Sequence, residues 1–112
     1  MKTLLKIANK LEYIVKNSQY YNKSKMETEI NKVISSLNIK GIKNVTDVEI
    51  ATHQEANSAS VGFLLNVESK FAQQMQYNQS VEKQIVSAVV NMLNATYPMY
   101  SGWKAHFTIV PV

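Results

Sequence analysis

The period of the apolar residues changes partway along this chain, from 3.6 to 2, and that change restricts the fold more than any other feature. Up to Leu37 apolar residues recur at helical spacing, whereas over 47–52 and 61–68 they alternate with their neighbours one by one. Spacings of three and four build one face of a helix, and a spacing of two builds one face of a strand. A chain carrying both must lay helices against a sheet, so the expected class is α+β. With 112 residues it should form a single domain (1–112) that buries roughly two thirds of its unfolded surface. An apolar fraction of 46% against 18% charged residues is that of a globular chain, not a disordered one.

Leu4, Ile7, Ala8, Leu11, Ile14 and Val15 fall on one helical stripe, and Lys2, Lys6, Lys10 and Lys16 on the opposite face. This predicts a basic amphipathic helix over residues 1–22, ahead of a body spanning 24–112. Ser24, with Glu27 three residues on, reads as a capping box for a second helix carrying Met26, Ile30, Val33, Ile34 and Leu37. Asn38 to Gly41 reads as its stop, with Gly41 in the left-handed turn. Val48, Ile50 and Thr52 then mark a first strand, Gln54–Ser58 a hairpin loop, and Val61, Phe63, Leu65 and Val67 the clearest strand in the chain. In the connection 69–78, Phe71 and Met75 fit either a continued alternation or an i, i+4 helical pair, and both remain open. Asn78 or Ser80 caps a third helix bearing Val81, Ile85, Ala88, Val89, Met92 and Leu93, widened by Val86 and Val90, and Tyr97-Pro98 ends it. Trp103, Ala105, Phe107 and Ile109 alternate with Lys104, His106 and Thr108 as a third strand.

The expected order is therefore α-α-β-β-α-β, a small three-stranded mixed sheet with helices on one face. Over about residues 26–112 the layout resembles the αββαβ unit of bacterial ring-building domains in secretion and sporulation machines. It is also similar to the alkaline shock protein family, whose final strand is comparable to Thr108-Ile109-Val110-Pro111-Val112. The resemblance implies a bacterial-type domain for assembly and envelope scaffolding, and no catalysis.

The side-chain inventory removes several functions. All twelve basic residues are lysine, there is no cysteine, and Asp47 is the single aspartate. Without Cys there is no thiolate nucleophile, disulfide or sulfur-rich zinc site. Without Arg there is no planar fork for bidentate grip on phosphate or guanine. Gly41, Gly62 and Gly102 are isolated, so no phosphate-cradling loop is present, and no Gly-x-Ser-x-Gly elbow supports a serine nucleophile. The remaining catalytic candidates are Glu49, Glu68 and His106 on the outer face of the sheet, with His53 near one end. They lack any paired-carboxylate or His-x-His spacing, so neither a metal nor another cofactor is expected. That outer face also carries no aromatic ring for base stacking, which argues against a sheet-surface RNA reader.

Charge is uneven. Residues 1–43 hold nine lysines against Glu12, Glu27 and Glu29, a net +6, and residues 44–112 carry −2. Lys2, Lys6, Lys10 and Lys16 could therefore follow a phosphate backbone weakly and without sequence preference, although a solvated helix face or an A/T-rich coding sequence explains them equally. Tyr97, Met99, Tyr100 and Trp103 crowd into one connection, a composition enriched at interface cores. The plainer reading is that their rings cap the domain's own core. The start, Met1-Lys2-Thr3-Leu4-Leu5-Lys6, begins like a signal peptide, but Lys6, Asn9, Lys10 and Glu12 interrupt it, and no stretch reaches the length of a membrane span. The expectation is a cytoplasmic, non-enzymatic interaction or assembly domain that acts as an adaptor or scaffold by contacting a protein partner or itself.

Overall fold

The computed structural model describes residues 22–53, 57–98 and 102–112, with no account of the His53 side chain. Its elements are helix α1 (Lys23–Ser35), strand β1 (Ile42–His53), strand β2 (Ser58–Val67), helices α2 (Ser69–Gln76) and α3 (Gln79–Thr96), and strand β3 (Gly102–Pro111). The strands form one mixed sheet in the order β1-β2-β3, antiparallel between β1 and β2 and parallel between β2 and β3. The expected α+β class and three-stranded mixed sheet are what the chain adopts. The first expected helix lies, up to Tyr21, outside the described residues, as do three residues of the expected hairpin loop.

Side-chain alternation in β2 is complete: Ala59, Val61, Phe63, Leu65 and Val67 are buried, and every residue between them is half-buried. Met26, Ile30 and Ile34 of α1, Ala72 and Met75 of α2, and Ile85, Val89 and Leu93 of α3 join that face in one core cluster. All three described helices thus cover the same side of the sheet. Val86 and Val90, which widen the apolar stripe of α3, remain only half-buried.

The structure corrects one local expectation, extends a second and decides between the two readings of 69–78. Helix α1 starts two residues earlier than the capping box implied, because Asn22 takes the cap and its Oδ1 accepts the Lys25 N–H at 3.1 Å. Gly41 takes a left-handed turn as expected, at φ of 96°, and Asn38 supplies another closer to the helix, at φ of 55°. Gly41 also lies so close to Phe71 that a Cβ would meet the ring at 2.7 Å. Residues 69–76 are helical, so Phe71 and Met75 are an i, i+4 pair and an additional helix stands between the second and third strands. The other expectations at α3 hold: Asn78 caps it, accepting the Val81 N–H at 3.1 Å, and it ends at Thr96 before Tyr97-Pro98.

Strand β1 is the longest and least regular. Thr46 pairs with Leu64 and Glu49 with Gly62, so Asp47 and Val48 together stand opposite Phe63. This is a β-bulge, and Asp47 adopts φ of 54° to form it. A second irregularity leaves Lys43 as an extra residue between Ile42 and Asn44. The bulge at Asp47 turns both Val45 and Val48 inward, and both are buried.

Candidate interaction surface

The two outer strands of the sheet treat their free edges differently, and the hydrogen-bond register shows how. The Val112 N–H donates to the Val67 carbonyl at 2.8 Å, continuing the parallel ladder just past Pro111. In a parallel ladder alternate residues direct both backbone polar groups to the neighbour, and those between direct them away. The even-numbered residues of β3 therefore bond to β2, and Trp103, Ala105, Phe107, Ile109 and Pro111 turn their backbone toward the free edge. By the same parity the even-numbered residues of β2 bond to β1, which leaves Val45, paired with Leu65, facing away from β2.

Val45 does not present those groups to solvent. Its N–H donates to Asn31 Oδ1 at 2.7 Å, and its carbonyl accepts from Asn31 Nδ2 at 3.1 Å. The same Nδ2 also donates to the Glu27 carbonyl at 3.0 Å, which fixes the amide's orientation on α1. One side chain thus plays the part of a neighbouring strand. Beyond it, the Asp47 bulge bends the edge, and the Lys23 ammonium reaches Glu49 Oε2 at 3.2 Å. Unpaired edges invite foreign strands, and bulges and charges are the usual deterrents.

Among the described residues, strand β3 lacks such cover in its middle. The Trp103 N–H donates to Asn94 Oδ1 at 3.2 Å, which closes one end. Pro111 has no N–H and closes the other, its ring at a position where no ladder bond is lost. Between them, among the described residues, no partner binds the edge-facing backbone groups of Ala105, Phe107 and Ile109. Their side chains are half-buried on the helix-covered side, and Phe107 stacks on Phe63 with ring centroids 5.6 Å apart. The outer side of the same strand offers Lys104, His106 and Thr108, all exposed.

The residues singled out from the sequence fall elsewhere. Tyr97 and Trp103 are buried, 7% and 4% exposed, so these two rings line the core and not an outer patch. Trp103 Nε1 donates to the Tyr97 carbonyl at 3.0 Å, the rings meet edge to face at 6.1 Å, and the Tyr97 hydroxyl donates to Glu29 Oε1 at 2.6 Å. Burial, reinforced by the hydrogen bond and charge of Glu29, pushes the Tyr97 phenol well above its ordinary range. Met99 and Tyr100 lie outside the described residues, as do Lys2, Lys6, Lys10 and Lys16. Among the described residues the exposed aromatic ring is instead Tyr77, at the end of α2.

Glu49 and His106 share one row across the sheet, on either side of Gly62, and the His106 ring leans into the space that a side chain at Gly62 would fill. Glu68 stands beyond the end of β2, six residues from that row, so the three candidates do not converge. No group of three or more metal-ligating side chains exists among the described residues. Nor is any described helix long and apolar enough to cross a membrane. Two lysines from the basic half serve local contacts: Lys23 pairs with Glu49, and Lys40 lies over the Phe71 ring at 5.7 Å.

No protein-family model and no curated protein matches this chain. Among solved structures it is similar to one of a variant of MamM, at 8% identity and a TM-score of 0.43, covering 78% of this chain and 95% of that one. A likeness of that degree carries no argument here.

Proposed function

We propose that this chain is a small non-enzymatic assembly domain that works through protein–protein contacts as an adaptor or scaffold. The observation that supports this reading is the unequal treatment of the sheet edges: β1 is bulged and plugged by Asn31, whereas β3 leaves Ala105, Phe107 and Ile109 unpaired among the described residues. One edge blocked and the other open among the described residues gives a specific place for a partner strand. Light scattering coupled to size-exclusion chromatography, run over a wide concentration range, tests the reading. A mass above that of one chain at high concentration is expected, and a strict monomer contradicts it.

A further inference from the structure

Resting on that reading, we infer that the strand seated on β3 is the β3 of a second copy, antiparallel and centred on Phe107. The open window is symmetric. Trp103, four residues before Phe107, has its N–H taken by Asn94, and Pro111, four residues after, has none. What remains is Ala105, Phe107 and Ile109, a set that maps onto itself when the strand is turned end for end about Phe107. Such self-complementarity is what a two-fold interface requires.

Rotated in this way, Phe107 faces Phe107 of the partner and Ala105 faces the partner's Ile109. Each pair exchanges both backbone bonds, about six hydrogen bonds in total. On the outer side, Lys104 stands opposite Val110 and His106 opposite Thr108, so no like charges face each other across the seam. On the inner side the half-buried Phe107 and Ile109 gain cover from their counterparts. The result is one continuous sheet of twice three strands with the helices of both copies on the same side. The β1 edges, guarded by Asn31, become the outer limits of the assembly, so the pairing stops at two chains and does not propagate as a fibre.

Two pairs of variants of the full chain separate this geometry from a general tendency to associate. Ala105→Pro removes an N–H that serves only the free edge, whereas Thr108→Pro removes one that bonds to β2. Sedimentation should give a dimer for the wild type and a dissociation constant weakened about tenfold or more in Ala105→Pro, with an unchanged circular dichroism spectrum. Thr108→Pro should instead lose thermal stability. The second pair works on the exposed face: His106→Glu with Thr108→Glu sets like charges opposite each other and should abolish the dimer. His106→Lys with Thr108→Glu sets opposite charges there and should restore it.

A dimer indifferent to Ala105→Pro and to His106→Glu with Thr108→Glu overturns the β3 seam and leaves the assembly reading standing. A strict monomer overturns both. In such a monomer, slow exchange of the 105–109 amides would show the edge covered within the chain and rapid exchange would show it open and unoccupied; either result overturns the pairing.

Discussion

Tyr97 shows how a residue that looks like a surface anchor becomes part of the core. Pro98 ends α3 immediately after it, and the ring folds back against Trp103 while its hydroxyl reaches Glu29 on α1. The folded chain keeps the phenolic proton to a higher pH than the unfolded chain does, because burial and Glu29 both oppose the phenolate. Its contribution to stability is complete below the unfolded phenol's pKa of about 10 and is lost as pH rises from there through the higher folded value. Urea titrations in that alkaline range should show stability falling in the wild type and falling less steeply in Tyr97→Phe. At neutral pH the same substitution should cost about 1–3 kcal/mol, since it removes a hydrogen bond to a carboxylate. Equal alkaline slopes in the two proteins would mean that the phenol is not confined as described.

At the level of elements, α1 and β1 are joined through Asn31. Replacing it with Ala leaves the N–H and carbonyl of the fully buried Val45 without partners, and about 1–3 kcal/mol of stability should be lost for those unmet groups. The variant should also associate into species larger than the wild type, because a second edge is then open; chemical denaturation and light scattering measure the two effects. Aggregation unchanged from the wild type would show that the Asp47 bulge protects the edge unaided. Strand β2 and the faces of α1 and α3 were legible from spacing, since each has an uninterrupted period. Strand β1 was only half legible: extra residues at Lys43 and near Asp47 shift the parity, so the alternation that identifies a strand is lost before Val48. Helix α2 is two turns long, too short for Phe71 and Met75 to establish a period. Asn31 gave no signal, as a polar residue on a helix acquires meaning only once the strand beside it is in place. In the aromatic connection, composition alone cannot tell a core lid from an exposed patch.

Over its described residues the molecule is a sheet with one covered face and two unlike edges, and its proposed role depends on that difference. Burial on the helix side and the polar outer row are common to many small α+β domains. The edges are particular to this chain: the Asn31 amide standing in for a strand on one side, and a window bounded by Asn94 and Pro111 on the other. Residue-resolved amide hydrogen exchange, recorded by NMR on dilute and on concentrated samples, reads both edges together. The Val45 amide should be protected at either concentration, whereas those of Ala105, Phe107 and Ile109 should exchange quickly when dilute and slowly when concentrated. Exchange at Val45 as fast as at an open strand, or protection of the β3 amides that does not depend on concentration, would contradict the account.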